Sequence, residues 1–262
     1  MNSKVSTQDI QISAISAFQD NYIWVIQRPG SGCCIVDPGD AKPVLEWLQA
    51  SGQQLETILL SHQHKDHIGG VEKLVNITGA KVFGPADSRM PAASQPLGEG
   101  SKITLCGLEF IVLEVPGHTS SHIAFYAAAA DILFCGDTLF SMGCGRIFEG
   151  SAEQMLASLD KLAALPDSTL VYCTHEYTQA NGKFALAVEP ENQDLINRCK
   201  QVDELRANHK PSLPSRLLLE RQTNPFLRCH QPAVSAAARQ LNPAAASRLE
   251  VFTTIRQWKD SF

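Results

Sequence analysis

Leu59-Leu60-Ser61-His62-Gln63-His64-Lys65-Asp66-His67-Ile68-Gly69-Gly70 is the stretch on which the reading of this chain turns. Three histidines and one aspartate fall within six positions, directly after the apolar run Thr57-Ile58-Leu59-Leu60. A short, partly β-branched run of that kind predicts a buried strand. Gly69-Gly70 then closes a turn before the helix-like period of Val71 to Val75. The histidines are therefore expected on a loop at a strand end, where side chains can converge. A solvated polar loop has no need of three imidazoles, so a metal site is the better reading. His62 and His64 alternate by two and point the same way in an extended segment, able to share one ion. Asp66 and His67 point away from that pair and suit a second. Imidazole and carboxylate without thiolate fit zinc, iron or manganese rather than copper(I) or an iron–sulfur cluster. Two ions ~3.5–4 Å apart form the arrangement used in metal-assisted hydrolysis.

The rest of the composition leaves room for such an enzyme. At 262 residues, 44% hydrophobic and 19% charged, the chain is long enough for one large domain, or for a large and a small one. A net charge of -5 gives no general attraction to nucleic acid or to an anionic membrane. No apolar run reaches the ~20 residues of a membrane span. Residues 1–9 are polar and do not read as a secretory signal. The eight cysteines include no Cys-x-x-Cys pair, and most stand in apolar strands as small hydrophobes. They are read as reduced thiols of a cytoplasmic protein.

Along the chain, strands are expected at residues 10–15, 22–26 and 33–37, with Pro29-Gly30 as a hairpin turn. Asp40 is placed to cap a helix from Pro43 to Ala50. Asp37, at a strand end facing the His loop, is expected to bond its own turn, with support of a ligand as the alternative. Residues 85–98 carry no strong pattern, and further strands are expected at 102–105, 108–113, 122–126 and 132–135. From about Glu176 the strand signals stop. Helices are expected at 183–188, 192–207, 233–240 and 244–258, punctuated by prolines. Sheets covered by helices follow from this order, but the pattern alone does not choose a sandwich over a doubly wound sheet. The helical region, about 85 residues, is expected to have little core of its own. His118 after Pro116-Gly117, Asp137 after Gly136 and His175 after Cys173-Thr174 stand at strand ends. Singly, each is an ordinary turn former.

Ser61-His62-Gln63-His64-Lys65-Asp66-His67-Ile68-Gly69-Gly70 closely resembles the His-x-His-x-Asp-His signature of the metallo-β-lactamase superfamily. His118, Asp137 and His175 match the later motifs of that superfamily in order and context. The C-terminal half narrows the resemblance. Thr223-Asn224-Pro225-Phe226-Leu227-Arg228, Gly143-Cys144-Gly145-Arg146-Ile147-Phe148-Glu149-Gly150 and Thr174-His175-Glu176-Tyr177-Thr178 resemble segments of the glyoxalase II family. The likeness runs from about Ile10 to the C-terminus. It implies an α/β fold, an αββα metallo-β-lactamase sandwich followed by a smaller all-helical domain, divided as residues 1–175 and 176–262. It also implies two divalent ions, zinc first, with iron or manganese as alternatives. His62, His64 and His118 would hold one ion, Asp66, His67 and His175 the other, and Asp137 both.

The activity this implies is hydrolysis of S-(2-hydroxyacyl)glutathione, such as S-D-lactoylglutathione, to glutathione and a 2-hydroxy acid, in methylglyoxal detoxification. A metal-bridging hydroxide would attack the thioester carbonyl, oriented by Asp66 and Asp137. Glutathione's carboxylates need cations, and by the family's pattern these are Arg146, Arg256 and Lys259, with Phe148 and Tyr177 beside them. Arg256 and Lys259, three apart, read on their own as a solvated helix face. Arg146 and Phe148 stand where some family members carry Lys and Tyr. Arg keeps the charge, and Phe lacks a hydroxyl. A monomer without nucleic-acid or membrane partners is expected. A hydrolase for another ester on the same core, or a non-catalytic metal- or glutathione-binding protein, are the competing readings.

Overall fold

The structure is a computed structural model that describes residues 10–262. The polar opening segment, read above as no secretory signal, lies outside the described residues. The chain divides into two compact units, Met1–Glu114 with Ser121–Gly136, and Val115–Ser120 with Asp137–Phe262.

The first unit holds strands β1 (Gln11–Ala17), β2 (Asn21–Gln27), β3 (Cys33–Val36), β4 (Leu55–Leu59), β5 (Lys81–Pro85) and β6 (Ser94–Leu97) in one sheet. β1 to β3 run antiparallel, and β3 to β6 pair in parallel. Strands β7 (Lys102–Leu105), β8 (Leu108–Glu114), β9 (Ile123–Ala127) and β10 (Ile132–Gly136) form an antiparallel meander. Helices α1 (Ala41–Ser51) and α3 (Val71–Thr78) lay Val44, Leu74 and their neighbours on Ile23, Val25, Ile35, Ile58 and Leu60 of the first sheet. Trp24, Ile26, Cys34, Val36 and Leu59 alternate with those residues and are buried as well. A sheet apolar on both faces must be covered on both, the requirement of an inner layer in an αββα sandwich. The turn between β7 and β8 reaches the first sheet, with Cys106 Sγ 3.5 Å from the Ile26 carbonyl.

Local chemistry sets the ends of these elements. Asp40 caps α1, accepting from the Lys42 amide at 2.9 Å, and Gly52 closes it in the left-handed region. The His stretch differs from the expected open loop. Lys65–Ile68 winds into one helical turn, α2, with His64 at its N-cap. Residues 94–97, without a pattern in the sequence, form edge strand β6 because β5 offers them a parallel partner.

The second unit holds the hairpin β11 (Leu139–Phe140) and β12 (Gly143–Cys144), helix α4 (Ala152–Ala163), and strands β13 (Leu170–Cys173) and β14 (Ser215–Arg216), an antiparallel pair. Its remaining helices are α5 (Thr178–Val188), α6 (Gln193–Ala207), α7 (Leu217–Thr223), α8 (Pro232–Leu241) and α9 (Arg248–Ser261). α5 packs on α6 and α8, and α9 on α4 and α8. Ser151 with Gln154, and Ser247 with Glu250, build capping boxes at the starts of α4 and α9. The helices carry more core than their length predicts. Phe184 stacks on Phe226 at 5.9 Å, Phe252 meets Phe226 at 5.8 Å, and Trp258 meets Phe184 at 5.2 Å. α7 and the two-residue β14 are absent from the sequence expectation, which had strands ending near Glu176.

Candidate metal centre

The first half of the site grows from the end of β4. Asp37, just past β3, is buried at positive φ and accepts from the Ser61 amide and hydroxyl, each at 2.7 Å. Its second oxygen lies 3.1 Å from His67 Nδ1. The Ser61 hydroxyl in turn lies 3.0 Å from His62 Nδ1. Nε2 of each ring turns toward another candidate ligand, His64 for His62 and Asp66 for His67. His62 Nε2 stands 3.0 Å from His64 Nδ1, so these two donors aim at one point. Asp66 Oδ2 lies 3.5 Å from His67 Nε2 and accepts from Asn21 Nδ2 at 3.2 Å. Gly39 is needed here because a Cβ would overlap the Asp66 carbonyl.

Two of the residues around these donors, His122 and Asn21, were not singled out in the sequence, and Asp37 takes the role given there as the alternative. Asp37 does more than close its turn, because it backs both His62 and His67. His122, read as the start of a strand, is fully buried and stacks on His62 at 4.7 Å. Asn21 opens β2 and looks there like any polar strand-end residue. None of the three carries a spacing signal.

A second set of donors lies in the second unit. His118 donates through Nδ1 to the Arg146 carbonyl at 2.7 Å, leaving Nε2 3.5 Å from Asp137 Oδ2. His175 Nε2 lies 3.3 Å from the same oxygen. Gly145 makes this possible, since a Cβ there would overlap the Asp137 carbonyl and crowd His118. Tyr177 lies flat on His175 at 4.6 Å, Phe140 meets both edge-on, and the exposed Phe148 ring meets His118 at 5.2 Å.

Donors from the two sets fall into three groups that could each hold an ion: His62, His64 and His118; His62, His67 and Asp137; Asp66, His67 and His175. All are imidazole or carboxylate, and no cysteine joins them among the described residues. The donor set therefore fits borderline divalent ions, and a His/Asp cluster of this composition points to a binuclear metal site. None of these candidate ligands lines the cavity of ≈ 950 Å³ among Leu48, Leu55, Phe83, Leu105, Cys33 and Cys106. Burial pushes the Cys33 thiol up to about 12, as expected of a packing residue.

Two of the three cations expected to meet substrate, Arg146 and Arg256, come together at Asp260. Arg256 is buried rather than solvated. It donates to the Cys144 carbonyl at 2.9 Å and to Asp260 at 3.1 Å, over the Phe226 ring. Arg146 donates from Nε to the same Asp260 oxygen at 3.2 Å. Lys259 Nζ sits over the rings of Phe184 and Phe262.

The architecture and the donors define a class before they define a protein. Residues 18–175 match the metallo-beta-lactamase superfamily, and residues 176–262 match the hydroxyacylglutathione hydrolase C-terminus. A hydroxyacylglutathione hydrolase of Pseudomonas fluorescens (strain SBW25) is 53% identical over 97% of this chain and 100% of its own length. One from Nitrosomonas eutropha (strain DSM 101675 / C91 / Nm57) is 48% identical over 97% and 99%. Among solved structures, TTHA1623 in a di-iron-bound form superposes with a TM-score of 0.60 at 28% identity, covering 83% of this chain and 100% of that one. ETHE1 from Myxococcus xanthus shares the fold, with a TM-score of 0.64 at 22% identity over 96% and 98%. The chain belongs to the hydroxyacylglutathione hydrolase family of the metallo-β-lactamase superfamily.

Proposed function

We propose that this protein hydrolyses the thioester of S-(2-hydroxyacyl)glutathione, S-D-lactoylglutathione among them, to glutathione and a 2-hydroxy acid such as D-lactate. The observation that carries this is identity of about half the residues with hydroxyacylglutathione hydrolases over nearly the whole chain. In this reading His62, His64 and His118 would hold one ion and Asp66, His67 and His175 a second, with Asp137 available to both. Zinc is the first choice for such a donor set. When bound, the ions supply Lewis acidity at the carbonyl oxygen and lower the pKa of coordinated water toward ~7.

The chain's own residues do the rest. Ser61, held by Asp37, fixes the rotation of His62, Asp37 stands beside His67 Nδ1, Asn21 holds Asp66, and the Arg146 carbonyl fixes His118. Asp66 and Asp137, each beside a histidine, also orient the attacking water. Arg146, Arg256 and Lys259 together supply the positive charge that favours the glutathione carboxylates, with Phe148 and Tyr177 lining the approach. A thiolate leaves readily, so no strong general acid is required. Residues 1–175 would carry the chemistry and residues 176–262 the recognition of substrate. We place the protein in the cytoplasm as a monomer, consistent with eight free thiols and a net charge of -5.

The test is release of free thiol from S-D-lactoylglutathione by metal-analysed protein. Turnover that is lost with metal in His64→Ala is the expected result. A protein carrying its full metal that leaves this thioester untouched would overturn the substrate assignment.

A further inference from the structure

Arg256 and Arg146 share one counterion, Asp260, and they meet it very differently. Arg256 is 6% exposed. Its Nη1 is committed to the Cys144 carbonyl, its Nη2 to Asp260 Oδ1, and its plane to the Phe226 ring. Arg146 is the opposite case, with 54% of its side chain exposed. Nε reaches Asp260 Oδ1 at 3.2 Å, and one Nη reaches the Asp260 carbonyl at 3.3 Å. Those two bonds use one edge of the guanidinium fork and leave Nη1 without a protein partner among the described residues. A lysine at this position has a single nitrogen and could not hold both Asp260 oxygens while presenting a second edge. The buried arginine thus has both terminal nitrogens committed and only its buried Nε without a partner, whereas the exposed one has an edge held ready.

We infer that Asp260 is a positioning residue for the substrate's carboxylate: anchored by the buried Arg256, it holds Arg146 by one edge so that the other edge is presented to the anion. The inference rests on the glutathione thioesterase reading above. Arg256 acts through Asp260 and Arg146, and Arg146 is the residue that touches substrate. A guanidinium pinned in advance loses less side-chain freedom on binding, and its free edge matches a carboxylate fork. One negative charge among Arg146, Arg256 and Lys259 also keeps three cations from repelling one another apart, and the cluster still carries net positive charge.

The experiment compares Asp260→Asn, Asp260→Ala and Asp260→Glu in the metal-loaded enzyme. Two substrates are used, S-D-lactoylglutathione and the S-lactoyl thioester of N-acetylcysteamine, which has no carboxylate. With Asn or Ala, KM for the glutathione thioester is expected to rise about three- to tenfold, with kcat moving less than KM. The carboxylate-free thioester is expected to be unaffected, and Glu to restore most of the loss. In an Arg146→Ala background, Asp260→Asn is expected to add nothing, because the two residues act as a unit. Bound metal and thermal midpoint are measured on every variant, so that a misfolded protein is not counted. An unchanged or lowered KM, an equal rise for both thioesters, or effects that multiply in the double variant would overturn the inference while leaving the thioesterase reading intact. Wild-type protein that ignores S-D-lactoylglutathione would instead overturn that reading.

Discussion

Asp37 accepts hydrogen bonds from Ser61 and faces His67 Nδ1, so one buried carboxylate sets two imidazoles. Asp37→Asn keeps the shape but can no longer accept at both oxygens. Loss of such support costs about 10–100-fold in metal affinity, and competition with a chromophoric chelator should show a loss of that order with the fold retained. Affinity equal to wild type would remove Asp37 from the site. At Lys259, burial and then the neighbouring Arg256 charge hold the ammonium below the usual lysine range. Its charge is therefore lost at a lower pH than on an exposed lysine. KM for a glutathione thioester is expected to rise as pH climbs through that lowered value, and Lys259→Arg, which stays charged, to flatten the rise. Identical profiles for the two proteins would contradict this. The candidate ligands could be read from the sequence because His and Asp at fixed spacing after a strand have few other uses. Asn21 and His122 could not, and Asp37 only as an alternative, since their partners are distant in sequence and each is common at a strand end. The burial of Arg256 was equally hidden, because spacing along a helix does not say which side the neighbouring helices cover.

Asn224 shows what the Asn-Pro-Phe segment does for the elements around it. Its Nδ2 donates to the Phe140 and Gly143 carbonyls at 3.0 and 2.8 Å and to Glu220 at 3.2 Å, while its Oδ1 accepts from the Phe226 amide at 3.1 Å. Glu220, fully buried, accepts in addition from Ser141 and the Met142 amide. Together they tie α7 to the β11–β12 hairpin, from which the segment carrying Gly145 and Arg146 continues. Asn224→Ala leaves two carbonyls and a carboxylate with a buried shortfall, at a cost of about 2–4 kcal/mol. Chemical denaturation should show a loss of that order, and a change within ~0.5 kcal/mol would mean that water replaces the amide. Helices with caps and a clear period, such as α1, could be read from the sequence to within a few residues. β14, two residues long, and α7, one to two turns, could not, because elements so short are set by their tertiary partners rather than by propensity.

For the molecule as a whole, alternation and breakers were enough to say that strands precede helices, but not how the sheets stack. The both-faced burial of β2 to β4 decides that in the structure, and in the sequence only the family resemblance did. The central claim is that thioester hydrolysis needs the metal that His62, His64, Asp66, His67, His118, Asp137 and His175 are proposed to hold. The direct measurement strips the metal with a chelator, titrates zinc back, and follows bound metal and thiol release from S-D-lactoylglutathione together. The account predicts an inactive, folded protein after stripping and activity that climbs to its plateau at about two equivalents per chain. Full thiol release from the metal-free protein would contradict it.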